Sequence, residues 1–190
     1  MIQAIANALA KFIVKNDDTA DYEVLAYGYG LIVNGVVTNV IIIVSALIFG
    51  VIVEMLIALG VFMTMRLIIG GVHANSRTLC FITNAGVLYF SIIFASVLNL
   101  NEITTIGALY LANLILLVLY APSDTVDQPI VKRRMRRKIL GIIFLSLFFS
   151  VSLFFDNIQI ETNIMILVST ITCILLHPLV YQAYKCKKSI

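Results

Sequence analysis

Residues 24–65 read VLAYGYGLIVNGVVTNVIIIVSALIFGVIVEMLIALGVFMTM and hold a single charged side chain, Glu54. A membrane-spanning helix takes about 20 apolar residues. The stretch is therefore too long for one span and too short for two with a generous loop. Gly50 offers a helix stop. The reading is two spans, about 31–48 and 52–69, joined by a tight connection at that glycine.

The pattern extends along the rest of the chain. Residues 78–101, 103–123, 139–155 and 162–184 are free of Asp, Glu, Lys and Arg. They predict further spans over about 77–98, 103–120, 139–155 and 162–183. None alternates polar with apolar as a membrane barrel strand would. The expected fold class is all-α: a polytopic membrane protein with about six transmembrane helices, preceded by an N-terminal amphipathic helix.

Composition agrees. Of 190 residues, 61% are hydrophobic and 12% charged, whereas soluble domains carry about 25% charged residues. A soluble globule and a disordered chain are both excluded. The net charge of +3 makes nucleic acid an unexpected partner. The expected organisation is a single membrane domain over 1–190. Within it, 1–23 is an interfacial helix, 31–183 the bundle and 184–190 a cytoplasmic tail.

In that first segment Ile2, Ile5, Ala6, Leu9, Phe12 and Ile13 recur at three- and four-residue steps, interrupted by Lys11 and Lys15. This is the pattern of a helix lying on a bilayer. A cleavable signal peptide would show a basic start and a small-residue cleavage site, and neither is visible.

Orientation follows from Lys and Arg. Basic residues gather before the first span (Lys11, Lys15), between spans two and three (Arg66, Arg77), between spans four and five (Lys132 to Lys138) and in the tail (Lys185, Lys187, Lys188). Six spans with both termini in the cytoplasm place every cluster inside.

Few side chains could do chemistry at membrane depth. The cysteines stand at 80, 173 and 186 with no CxxC pair, so a dithiol redox motif is absent. HExxH is absent and the two histidines, His73 and His177, are isolated; no metal or cofactor is expected. Cys173 in the last span suits a small packing role. His177 precedes Pro178, where a helix kinks. Glu54 lies about 28 Å along a straight helix from His73, too far to orient it.

The turn from Gly70 to Cys80 stands apart. Gly70-Gly71 can end one helix, and Asn75 or Ser76 can cap the next. Cys80 then falls in its first turn, where the positive helix end suits an anionic nucleophile. His73 could serve it as base. Seven residues along a continuous helix rise about 10.5 Å, so His73 must lie before the helix and fold back. A polar interfacial His73 and a quietly packed Cys80 remain the alternative.

The stretch Arg66-Leu-Ile-Ile-Gly70-Gly71-Val-His73-Ala74-Asn-Ser-Arg-Thr-Leu-Cys80 resembles the signature of the accessory gene regulator protein B (AgrB) family, bacterial membrane endopeptidases of peptide quorum sensing. Tyr120-Ala121-Pro122-Ser123-Asp124-Thr125, followed by Pro129 and the basic run, is a second likeness. Asn75-Ser76 and Thr83-Asn84 stand where relatives are expected to carry small hydroxyl residues.

The resemblance implies a cysteine endopeptidase acting at the cytoplasmic side of a bacterial cell membrane. Cys80 would be nucleophile and His73 general base and acid. The substrate would be a small AgrD-like precursor peptide, which is cleaved and cyclised into a thiolactone or lactone. Asn75, Ser76 and Asp124 are candidate supporting residues, the first two through an oxyanion hole and the third as a further member of the site; capping and turn roles compete. Arg66 and Arg77 are candidate substrate-binding residues, with topology or structure competing. Membrane lipids and a second copy of the chain are the other partners this reading admits. The competing function is a small transporter or exporter without covalent catalysis.

Overall fold

The structure, a computed structural model, describes residues 2–16, 21–72, 76–98, 100, 102–123, 133–154, 159–184 and 186. The chain is all-helical over these residues apart from one isolated β-bridge. Eight helices run in the order α1 (Ile2–Asn16), α2 (Tyr22–Phe49), α3 (Ile52–Ile69), α4 (Arg77–Val97), α5 (Ile103–Tyr120), α6 (Arg134–Phe154), α7 (Gln159–Ile174) and α8 (Pro178–Ala183). Among the described residues, five of them, α2 to α6, are long and apolar enough to cross a bilayer. The helices form two compact units, residues 1–50 and 51–190.

In the first unit α1 packs on α2. The residues α1 buries are small, Ala6 and Ala10, and α2 buries Ala26 and Gly30. Small residues four apart let helix backbones approach closely in lipid. Ile5, Leu9 and Phe12 stay exposed, as a bilayer-facing side requires. Helix α2 begins at Tyr22, nine residues before the expected span. Asp21 explains the early start: its carboxylate accepts from the N–H groups of Glu23 at 2.8 Å and Val24 at 3.4 Å, a standard N-cap. The helix stops at Gly50, whose φ of 71° is the left-handed conformation glycine adopts freely.

The second unit is built around α7, which packs against α3, α4, α5 and α6. Its buried side chains include Thr162, Asn163, Ile164, Ile166, Val168, Ser169, Thr172 and Cys173. Asn163 Nδ2 donates to the carbonyls of Ala95 and Leu98 at 3.2 and 3.1 Å. It thereby satisfies acceptors that the C-terminus of α4 leaves open. Asn113 of α5 donates to Thr170 Oγ1 at 2.8 Å, and Tyr110 shares a hydrogen bond with Ser146 of α6 at 2.9 Å.

Two further expected boundaries move. The span over 162–183 is not continuous: α7 ends at Ile174 and α8 starts at Pro178. Proline lacks an N–H and pushes its predecessor out of the α region, and His177 sits at φ −69°, ψ 137°. It is the N-cap of α8, not a residue inside a span. The fifth span starts at Arg134, not at 139. Cations are disfavoured at a helix N-terminus, but Arg137 donates to the carbonyl of Leu67 and Lys138 Nζ to that of Val118 at 2.6 Å. Those carbonyls belong to the last turns of α3 and α5, where cations are favoured. Gly141 lets α6 sit this close, because a Cβ there would run into Ile69 and Leu117.

Candidate functional site

The end of α3, the end of α5 and the start of α4 build one face of the second unit. Helix α3 closes at Gly70, with φ 77° and ψ −141°, and Gly71 follows at φ 134°. Both conformations strain any residue with a Cβ. The turn is then pinned from the side. Gly71 N–H donates to the Ser123 carbonyl at 2.8 Å, and Ser123 N–H donates to the Ile69 carbonyl at 2.9 Å. This parallel bridge pairs Gly70 with Ser123 and joins the two stretches that stood out in the sequence.

Arg66 locks the same turn from within. Its Nη1 donates to the Val72 carbonyl at 2.9 Å, and its guanidinium lies over the Phe62 ring at 5.3 Å. A Cβ on Gly71 would come within 2.5 Å of Nη1, so glycine makes room for the guanidinium. The hydrogen bond fixes the backbone one residue before His73.

Helix α4 starts from Ser76, whose hydroxyl oxygen accepts from Leu79 N–H at 3.0 Å. Cys80 N–H makes the first backbone bond of the helix, to the Ser76 carbonyl at 3.0 Å. The cap occupies the Leu79 donor, so the N–H groups of Arg77 and Thr78 have no acceptor within the helix. They are oriented as donors at the positive end, in the turn that carries the thiol. Cys80 is half-buried and free, and Asn84 Nδ2 approaches its Sγ at 4.0 Å.

The C-terminal hook reaches this turn. Tyr184, just after α8, shares a 2.8 Å hydrogen bond with Thr83. Thr83 Oγ1 also donates to the Leu79 carbonyl at 2.8 Å. A hydroxyl has one proton, so the Tyr184 O–H is the donor in their pair. Arg66 has Cys80, Tyr181 and Tyr184 as its electrostatic neighbours. Across the same end, the Tyr120 and His177 rings meet edge to face, 5.0 Å apart.

Of the candidate residues, the structure brings together Cys80, Ser76 and Arg66. His73, Asn75 and Asp124 lie outside the described residues, as does the side chain of Arg77. Four contributors were given no role in the sequence reading. Ser123 pairs with the glycine turn, where the preceding expectation fell on its neighbour Asp124. Tyr181 in α8 and Tyr184 just past its end are spaced three apart after Pro178, and that spacing was the available signal. Thr83 was noted only as a departure from pattern. Among the described residues, no three His, Cys, Asp or Glu side chains gather where a metal could be held.

The family model for accessory gene regulator B matches residues 5–177. Over 164 residues the chain is 26% identical to an AgrB-like protein of Clostridium perfringens, covering 80% of this chain and 76% of that one. Over 78 residues it is 41% identical to accessory gene regulator protein B of Staphylococcus epidermidis, covering 40% of this chain. The chain spans 38% of the length of the Staphylococcus relatives it matches. No solved structure matches.

Proposed function

Because the chain belongs to the accessory gene regulator B family, we propose that it is a membrane cysteine endopeptidase that matures a quorum-sensing peptide. Cys80 is the nucleophile and His73 the proton carrier. The observation that supports this most is the placing of Cys80. Its thiol belongs to the first turn of α4, the turn that opens with two N–H groups the helix leaves unclaimed, and that turn follows a glycine turn held by Arg66 and Ser123.

Cys80 Sγ attacks a precursor carbonyl while His73 takes the thiol proton. The Arg77 and Thr78 N–H groups are placed to bind the oxyanion. The tetrahedral species collapses, the C–N bond breaks, and His73 returns the proton to the leaving amine. The precursor's acidic C-terminal piece departs, and an acyl thioester on Cys80 remains. A Cys or Ser of the retained peptide then attacks that thioester. Its proton returns through His73 to Cys80, and a thiolactone or lactone ring closes. Water is the competing nucleophile, and a site recessed between helices disfavours it.

The basic end of the second unit supports a cytoplasmic active site. Arg66, Arg137 and Lys138 lie there, and an excess of Lys and Arg marks the inner side. Both termini are cytoplasmic in this reading, within a single membrane domain in a bacterial cell membrane. An AgrD-like precursor reaches the site along the inner leaflet, Arg77 meets its acidic segment, and membrane lipids and a second copy complete the environment.

Co-expression with a small precursor encoded beside the gene tests this. Cleavage is expected in the parent and in neither Cys80→Ala nor His73→Ala. A transporter without covalent chemistry would leave the precursor uncut in all three.

A further inference from the structure

We propose that Tyr184 is a positioning residue for Cys80, acting through Thr83, so that the C-terminal hook forms part of the reactive site. The inference rests on the peptidase reading for what the site does. The contact itself stands apart from that reading.

Cys80, Thr83 and Asn84 are spaced three and four apart on α4 and share one face. Thr83 sits half-buried one turn above the thiol. Its single proton is committed to the Leu79 carbonyl, a group in the same first turn as Cys80. Its oxygen therefore faces Tyr184 as an acceptor, and Tyr184 fills it with a charge-neutral bond of 2.8 Å. The chain of bonds runs from Tyr184 to Thr83 to Leu79, the residue next to Cys80.

The hook is itself held. Cys186 N–H donates to the Tyr181 carbonyl at 2.9 Å and Tyr184 N–H to the Val180 carbonyl at 3.0 Å. Tyr181 is buried, and both tyrosines are electrostatic neighbours of Arg66, together with Cys80. Arg66 in turn fixes the backbone at Val72. The hook thus bonds directly to α4 through Thr83 and lies in the electrostatic surroundings of Arg66. Tyr181 and Tyr184 lie beyond residue 177, where the family match ends.

The test uses the full chain in lipid vesicles with a synthetic precursor. Tyr184→Phe is expected to lower kcat about tenfold with KM within about twofold, since small displacements of a nucleophile act on the chemical step. Thr83→Val should match it, and Thr83→Ser, which keeps the acceptor, should restore the parent rate. The Tyr184→Phe/Thr83→Val double variant should be no slower than either single one, because both remove the same bond. Gln182→Ala, on the exposed side of α8, should leave the rate unchanged.

A second readout does not need peptidase activity. Alkylation of Cys80 by iodoacetamide, followed by peptide-resolved mass spectrometry, should slow about threefold in Tyr184→Phe, because the thiol is no longer held at the positive end of α4. Unchanged alkylation and unchanged kcat in Tyr184→Phe would overturn the proposal, and so would losses that multiply in the double variant. Cleavage that persists in Cys80→Ala would instead defeat the peptidase reading, and the alkylation rates would still decide the role of Tyr184.

Discussion

Helices α2 and α7 are opposites. Helix α2 has 28 residues and exposes Leu31, Ile32, Val36, Val40 and Ile48, the last at 77%. Helix α7 has 16 residues and buries Thr162, Asn163, Ser169 and Thr172 among its apolar side chains. The more apolar helix leaves long aliphatic side chains exposed in the first unit, and the more polar one is enclosed within the second. In water that would be inverted. In lipid an aliphatic side chain gains nothing by leaving the bilayer for protein, so helices associate through close packing and hydrogen bonds. Polar and small residues therefore mark the packed faces within each unit, and long aliphatic runs mark the faces left to lipid.

That contrast can be broken in order of size. The largest effect belongs to Gly141, the small residue that admits α6 to the bundle. Gly141→Leu should destabilise the fold by about 3 kcal/mol, read as an earlier midpoint in detergent unfolding followed by circular dichroism. Next is Asn163, the polar residue that α7 uses to close α4. Asn163→Leu adds apolar surface and leaves two carbonyls unmet, and should destabilise by about 1 kcal/mol. An increase in stability there would mean that apolarity, not bonding, organises the core. The smallest is Ile48→Leu on the exposed face of α2, expected to change the same midpoint by less than about 0.5 kcal/mol. A change there as large as that at Asn163 would remove the distinction between the two helices.

Much of this fold could be read from charge spacing. The spans over 52–69 and 103–120 coincide with α3 and α5, because each is bounded by a glycine, a charge or a turn residue. The start of α6 was misplaced because the run of six cations from Lys132 to Lys138 looks like loop. Only the neighbouring helix ends, with Leu67 and Val118 offering carbonyls, let those residues be helical. The end of α7 was missed because Pro178 permits either a kink or a stop, and packing decides between them. In the site, the local features were legible: the double glycine, the cap at Ser76 and the first-turn cysteine all follow from short-range rules. The non-local ones were not. Nothing in either stretch states that Ser123 pairs with Gly70, or that Tyr184 returns to Thr83 across a hundred residues of chain.

The peptidase mechanism requires a covalent bond to Cys80. Intact mass spectrometry of the vesicle-embedded protein, sampled seconds after adding a synthetic precursor, reads it directly. The expected result is an adduct equal to the precursor minus its C-terminal piece, located on Cys80, discharged by hydroxylamine and missing in Cys80→Ser and His73→Ala. Release of the C-terminal piece with no adduct on Cys80, and at the parent rate in Cys80→Ala, would contradict it.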